Sequence, residues 1–435
     1  MSSLARHGVP LVVIAVTAAV WGPVVAGQFQ YDDLGNIVND PATSDLGALV
    51  ARLATGIRPL TRASYFLDAA LFGMVPAAFL ATNLLLHLIT VLLVHALAFA
   101  RLGDARAAFV AALVFALQPA HAETVAYASG RSTGLMAALV VAGFLLHERR
   151  RPIASLVCFA LACLAKEVAL VFPLLLLLWE ITRPSPRMKP VAAATLLAGA
   201  LAAVALLSPR YRDLAAFSLE LRSPGANLLA GARAIPETLS LWFRPWALSV
   251  DHGFDPSLHV GASLAGLAAI AALVAAALAV RSRVPLFTLA AGWALLCLAP
   301  TSTLIAKLDL VSEKPLYLAA VGPALLAGQW ASSFTRRGRV RLRVVAVAMM
   351  LACSAAWCVH RVSLWRAPHL LWTDAASKAP GKSRCWNNLG MALFRLERDP
   401  EAAAALREAT RLDPTSATAR RNLELVEFLC GPRCL

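Results

Sequence analysis

Two adjacent carboxylates, Asp32 and Asp33, lie in QFQYDDLGNIVNDP (28–41), directly after an almost uncharged run over 9–27. Paired acids can ligate a metal, act as a general base or hold a nearby Arg; in an ordinary loop they mark a solvated turn. Other stretches also collect polar groups in apolar surroundings. QPAHAETVAYASGR (118–131) carries His121, Glu123 and Arg131, and LAKEVA (164–169) carries Lys166 and Glu167. STLIAKLDLVSEKPLYL (302–318) adds Lys307, Asp309, Glu313 and Lys314. LWFRPWALSVDHGFD (241–255) brings Arg244, Asp251 and His252, although its Trp242 and Trp246 also suit an interfacial anchor. A carboxylate that takes a proton and cations that stabilise a departing phosphate form the inventory of a transfer reaction with a phosphate leaving group. With a lipid phosphate as donor, both would have to meet at a membrane surface.

The rest of the chain supplies that membrane setting. Of its 435 residues, 59% are hydrophobic and 15% charged, with a mean hydropathy of +0.68. A soluble domain carries about 25% charged residues, so the composition points to an all-α, polytopic membrane protein whose first partner is the lipid bilayer. The net charge of +15 does not point to nucleic acid. The cations cluster in short segments between apolar runs, HERRRP (147–152), RPSPRMKP (183–190), RSR (281–283) and TRRGRVRLR (335–343), as a positive-inside bias requires.

Apolar runs near 9–27, 78–100, 105–118, 132–147, 153–165, 168–182, 190–207, 260–280, 284–300, 315–333 and 343–360 predict about eleven transmembrane helices. The first also reads as a signal peptide; the many spans behind it favour an anchor. With the basic segments inside, the N-terminus is cytoplasmic. The loops 28–77, 119–131, 208–259 and 301–314, and everything beyond 360, then face outward. The Ala- and Leu-rich composition and compact loops suit a bacterial inner membrane, with the C-terminal region periplasmic. The segment between HERRR and RPSPR must cross twice. Each leg is about 14 residues, roughly 21 Å of helix against a hydrocarbon core of about 30 Å. Lys166 and Glu167, at the turn between the legs, therefore sit in a recess below the outer surface. They either neutralise one another or supply a functional cation, and the second reading is adopted because intramembrane charge is costly.

Taken in order, YDD (31–33), RPLTRASYFLDAALFG (58–73), NLLLHLITVLLVHAL (83–97), QPAHAETVAYASGR, AKEVALVFPLLLLLWE (165–180) and VSEKPLYLAAVG (311–322) resemble the tetratricopeptide-containing membrane O-mannosyltransferase-like proteins. These are GT-C superfamily glycosyltransferases that use polyprenyl-phosphate sugars. The resemblance runs over essentially the whole chain. It implies a GT-C-type enzyme with its active site on the outer face, a polyprenyl-phosphate-linked sugar donor, and a protein or glycan acceptor. In that superfamily an acid in the first external loop serves as base or orients the acceptor. Asp32 is taken for that role here, with neighbouring Asp33 as its support. Arg131 matches the family's G-R element, Lys166–Glu167 its K-E, and Glu313–Lys314 the acidic-basic pair before LYL. By charge, Arg131, Lys166 and Lys314 are expected to hold donor phosphate. His121 and Glu123 match its H-x-E element and, with Glu167, Glu313 and Asp251, are expected to line the donor or acceptor site. His121 and Glu123 are also the candidates for a divalent metal, a cofactor on which superfamily members differ. Arg58, Asn83 and His87 match as well, in a structural sense. Two departures bear on substrate identity: Thr133 stands where the family often has Asp, and Lys314–Pro315 where it usually has a pair such as Arg-Tyr. A Lys lacks the planar fork of Arg.

The region 361–435 has a soluble pattern, leaving 1–360 as the transmembrane glycosyltransferase domain. SRCWNNLGMALFRLERDPEAAAALREATRLDP (383–414) has the spacings of one tetratricopeptide repeat. Pro380 and Pro414 close successive periods, so 361–380 reads as the end of a half-repeat and 417–429 as a capping helix. So short an array must lean on the membrane domain, where it presents acceptors, binds a protein partner or covers the mouth of the site. Cys430 and Cys434 are spaced for a small disulfide loop. Two other functional classes use the same residues: a non-catalytic scaffold that binds an envelope protein through the repeat, and a transporter of lipid-linked sugars that needs no base.

Overall fold

The computed structural model describes residues 3–431 apart from 256, 258, 305 and 334–339. Among the described residues every regular element is helical. The all-α, multi-pass expectation is borne out. Each of the eleven apolar runs falls on a helix, but six helices are long and apolar enough to cross a membrane. These are Pro76–Leu102, Ala128–Glu148, Met188–Leu207, Val260–Ala279, Pro285–Thr303 and Val344–Trp365. Ala105–Ala116 and Pro119–Val125 form a further pair bent by 55°, and Pro10–Ala26 and Pro152–Ala165 are shorter apolar helices. The run over 315–333 is broken into Lys314–Ala319 and Val321–Ser333. The last apolar helix continues past 360 to Trp365. Most of the basic cluster at 335–343, and Cys434 of the expected disulfide, lie outside the described residues.

Local sequence sets the turns that bring polar groups to one end. Proline opens the helices at Pro59, Pro76, Pro152 and Pro285, where its missing N–H leaves nothing unsatisfied. The long helix 76–102 stops at Gly103, whose φ of 66° lies in the left-handed region. Asp104 then caps the next helix by accepting from the N–H groups of Arg106 and Ala107. That hairpin carries the chain directly into the bent pair. Small residues let helices touch in lipid: a Cβ on Gly328 would meet the Ala107 carbonyl oxygen at 2.3 Å, so helix 321–333 lies backbone to backbone on helix 105–116. Four fully buried tryptophans, Trp21, Trp179, Trp293 and Trp365, fill the centre. Trp21 and Trp293 donate their indole N–H to the carbonyls of Ala116 and Leu318, both at 2.8 Å.

At one end of the bundle, the segments after His147 and after Glu180 are joined. Glu180 accepts from His147 Nε2 at 2.7 Å and from the Arg187 side chain at 3.1 Å. HERRR and RPSPR therefore meet, as a double crossing between them requires. The turn at Lys166–Glu167 lies at the far end of the same two short helices.

The C-terminal helices Pro368–Lys378, Ser383–Phe394, Asp399–Leu412 and Ala417–Cys430 build their own small core around Trp372, Leu389, Leu406 and Val426. A Cβ at Gly390 would strike Leu406 at 2.6 Å, the close helix crossing on which the repeat depends.

Candidate active site

The bent pair and the short helices after it, over 119–130, form a buried loop whose backbone groups need partners. Asn83 Nδ2 donates to the Tyr127 carbonyl at 2.7 Å, and the Tyr65 hydroxyl donates to that of Ala128 at 3.2 Å. Gly130 is required because a Cβ there would lie 2.6 Å from the carbonyl oxygens of both Glu123 and Thr124.

The two acids of YDD part company at this loop. Asp33 is fully buried and accepts from Ser129 N at 2.7 Å, Ser129 Oγ at 2.5 Å and Gln30 N at 3.0 Å, pinning the first loop to the 128–130 turn. Burial pushes its carboxyl up to about 6, against the downward pull of Ser129, Gln30 and Lys314. Asp32 is half-buried and faces a cavity of about 770 Å³. Its backbone N–H donates to the Tyr127 hydroxyl at 2.9 Å, while its carboxylate has no hydrogen-bond or ion-pair partner among the described residues. Tyr31, just before it, has a φ of 45°, a strained value for a side chain of that size.

Lys166, Glu167, Lys314, Glu123 and Asp251 line the same cavity. Lys166 and Glu167 do not neutralise one another. Glu167 takes a bidentate pair of bonds from Arg58, at 2.9 and 2.6 Å, and Lys166 donates to Thr133 Oγ1 at 2.7 Å. The Thr that stands for the family's Asp thus leaves the lysine solvated by a neutral partner. Lys314 lies 3.3 Å from Glu123 Oε1 and over the Tyr127 ring at 4.9 Å. The second oxygen of Glu123 accepts from the N–H groups of Glu313 and Lys314, at 3.0 and 3.1 Å, tying the 119–125 segment to 312–314. Asp251 is held by Lys382 at 2.7 Å and Arg384 at 2.6 Å. Burial pushes its carboxyl up, but Arg384 and Lys382 outweigh that and hold it below the usual carboxylate range.

Besides Asp33, three further expected site residues lie outside the cavity. Arg131 is fully buried away from the cavity and spends its guanidinium on Asp68 at 2.5 Å, Asn83 at 3.0 Å, and the carbonyls of Phe79 and Ser64. It fixes the start of helix 131–148 and, with no exposed surface, does not reach the cavity to meet a phosphate. His121 is enclosed by Phe115 and Tyr317, at ring distances of 4.7 and 4.5 Å, and its ring nitrogens find no hydrogen-bond partner among the described residues. Glu313 is buried against Arg361, at 3.2 Å, and accepts from Ser249 N at 2.7 Å. The residues do not fit a metal either. His121 and Glu123 turn apart, and among the described residues no group of three His, Cys, Asp or Glu side chains comes together.

Three residues had no assigned role in the sequence. Lys307 lines the cavity, and its ammonium has no hydrogen-bond or ion-pair partner among the described residues. Burial lowers it to about 8, with Glu167 pulling it up and Arg58 and Lys314 pulling it further down. Arg384 and Trp372 come from the C-terminal helices. Lys307 was visible as an isolated cation in an apolar loop; nothing local marked the other two.

Residues 383–416 match the family model for the tetratricopeptide repeat. A region of 162 residues is 31% identical to protein O-mannosyl-transferase TMTC1 of Homo sapiens, covering 34% of this chain and 18% of that protein. The Mus musculus protein of that name is 32% identical over 162 residues, covering 34% and 17%. Protein O-mannosyl-transferase F38B6.6 of Caenorhabditis elegans is 25% identical over 165 residues, covering 33% and 23%. The match thus spans less than a quarter of the length of these curated relatives. Among solved structures, ArnT from Cupriavidus metallidurans bound to undecaprenyl phosphate aligns with 99% of this chain and 78% of its own, at 16% identity and a TM-score of 0.45. Over about a third of its length the chain is similar to proteins named O-mannosyl-transferases, and it carries a tetratricopeptide repeat at 383–416.

Proposed function

We propose that the chain is a membrane glycosyltransferase that moves a sugar from a polyprenyl phosphate to the hydroxyl of an external acceptor. The observation that carries this reading is the set of groups in the cavity left without a charged partner: Asp32, Lys166 and Lys307. One carboxylate and two ammonium groups match the needs of a single displacement with inversion at the anomeric carbon. The acceptor hydroxyl gives its proton to Asp32 as its oxygen bonds to the sugar's anomeric carbon. The bond from that carbon to the phosphate oxygen breaks, and its electron pair leaves with the polyprenyl phosphate. Lys166 and Lys307, with Lys314 beside them, stabilise the charge gathering on that phosphate. Asp33 supports the loop and takes no proton from the acceptor.

The names of the curated relatives support mannose as the sugar and a protein hydroxyl as the acceptor. The positions of the basic segments support a cytoplasmic N-terminus with the cavity and the C-terminal helices on the outer side, and the Ala- and Leu-rich composition supports a bacterial inner membrane, which makes that side periplasmic. In this reading 1–360 is the transferase domain, and the tetratricopeptide region beyond it is the place for a protein partner. The test uses purified protein in lipid with radiolabelled polyprenyl-phosphate sugars and a periplasmic extract. Transfer by wild type and by D33N at reduced stability, but not by D32N, supports the assignment. Absence of transfer from every donor, with control enzymes active, points instead to a scaffold. Lipid movement without transfer, unaffected by D32N, points to a transporter.

A further inference from the structure

The outer wall of the cavity is built by a part of the chain far from its other residues. Arg384, at the start of helix 383–394, reaches across the mouth. Its Nε donates to Asp251 Oδ2 at 2.6 Å and its Nη2 to Asp309 Oδ1 at 2.5 Å. Asp251 and Asp309 stand on two different loops of the membrane domain, and one guanidinium joins both to the C-terminal region. Lys382 reinforces the join at 2.7 Å from Asp251 and 3.5 Å from Asp309. A second line of contacts runs behind it. Arg361 pairs with Glu313 at 3.2 Å and with Asp374 at 3.6 Å, while Lys378 donates to the Leu248 carbonyl at 2.8 Å. From this docked surface Trp372, itself buried, meets the ring of Tyr31 edge to face at 5.5 Å. Tyr31 is one of four non-glycine residues with positive φ among the described residues, and Asp32 follows it. A strained residue keeps its conformation only where its surroundings over-determine it. Here the surroundings are Tyr127 on one side and Trp372 on the other.

We propose that the C-terminal helical region completes the reaction cavity, with Arg384 and Trp372 as positioning residues that hold the rim and, through Tyr31, the Asp32 carboxylate in place. The inference rests on the transferase reading for its kinetic consequence, but the docking itself does not. Arg384 spans two acids, which suits a planar fork better than a point charge. Loosening it frees the loops carrying Asp251 and Asp309, and with them the wall against Tyr31. A displacement of about 1 Å at a reacting group can cost about 100-fold in rate. The effect therefore belongs to kcat, because Lys166, bonded to Thr133 on a different part of the chain, stays where it is and continues to hold the donor.

The test has two arms on the full-length protein in lipid. In the first, R384Q is expected to lower kcat roughly 10- to 100-fold with the donor KM within about threefold of wild type. R384K, which keeps one of the two bonds, should recover part of the loss, and W372L should reproduce the pattern of R384Q. In the second, D32C is labelled with a membrane-impermeant maleimide and the adduct at residue 32 is quantified by peptide mass spectrometry. Adding R384Q is expected to speed labelling at 32 by about tenfold or more, as loss of a partly buried bridge would. The labelling arm reads the docking whether or not sugar transfer is found, so the two readings fail separately. Unchanged labelling at 32 on loss of Arg384 overturns the inference, as does a rise in KM with kcat intact. Equal losses of kcat in R384Q and R384K, accompanied by a lower melting temperature, would show a merely structural contact and overturn it too.

Discussion

Glu180 and Lys166 stand at opposite ends of the same pair of short helices, and the charges around them are arranged differently. Around Glu180 both carboxylates, its own and that of Glu148, are fully engaged, and Arg101 beside them spends its guanidinium on the carbonyls of Trp179 and Thr182 and the Thr182 hydroxyl. His147 and Arg187 bind the carboxylate, Arg183 lies 3.3 Å from it and also pairs with Glu148, and Trp179 donates to Glu148 at 2.5 Å. Around Lys166 the pairing is incomplete: Glu167 belongs to Arg58, Glu123 caps and pairs with 312–314, and Lys166, Lys307 and Asp32 are left over. A saturated network lowers the cost of burying charge and fixes helix ends. An unsaturated one leaves buried charge waiting for something to bind, which is how a site for an anionic ligand and a proton acceptor has to look. The lesson is that identity of residue type does not mark the working group. Arg131 and Lys166 both match family motifs, and what separates them is whether their donors are already used.

That contrast can be broken by substitution. Replacing Lys166 by Met should cut sugar transfer by about 10²–10³-fold, the usual effect of losing one stabilising group at a developing charge, while leaving thermal stability equal to or above that of wild type. Initial rates and melting curves on the same preparation check both halves. Replacing Glu180 by Ala should do the reverse. It strands His147, Arg183 and Arg187 and should cost about 3–5 kcal/mol of stability, with turnover per folded molecule unchanged. If Glu180→Ala silences folded enzyme, the division between the two ends is wrong. A smaller effect is expected from Thr133→Val, which removes the acceptor of Lys166 without touching its charge. Donor affinity should fall by roughly three- to tenfold, about the worth of one ordinary hydrogen bond. The smallest concerns Asp33. Its folded pKa of about 6 stands above the ordinary aspartate value of 3.8, so the folded state binds the proton more tightly. The stability it contributes is complete below that ordinary value and is lost as pH rises through about 6. Melting temperature against pH should therefore show a decline across that window in wild type that is absent in Asp33→Asn.

Much of this was legible in the sequence, for physical reasons that can be named. Lys166–Glu167 stood out because charge inside an apolar run is costly, and the short legs on either side placed it in a recess. YDD stood out because a loop directly beyond a span has no need of two acids. The tetratricopeptide hairpin followed from its spacing. The fate of each charge was not legible, because pairing is a tertiary property. Asp68 lies on the helix that brings it against Arg131, and no local feature of RPLTRASYFLDAALFG says that it points there. Glu313 was read as part of the site because Arg361 sat hidden at the end of an apolar helix. Arg384 gave no signal, since the second residue of a repeat helix is ordinarily free to be any polar type.

The most direct test of the central claim is to measure donor binding and transfer together on Asp32→Asn, in lipid, with a labelled polyprenyl-phosphate sugar. The account predicts that the variant binds donor with a Kd within about threefold of wild type while transfer falls by about 10²–10⁴-fold, the range of a lost general base. Transfer at the wild-type rate, or loss of donor binding in a protein that still folds, would contradict it.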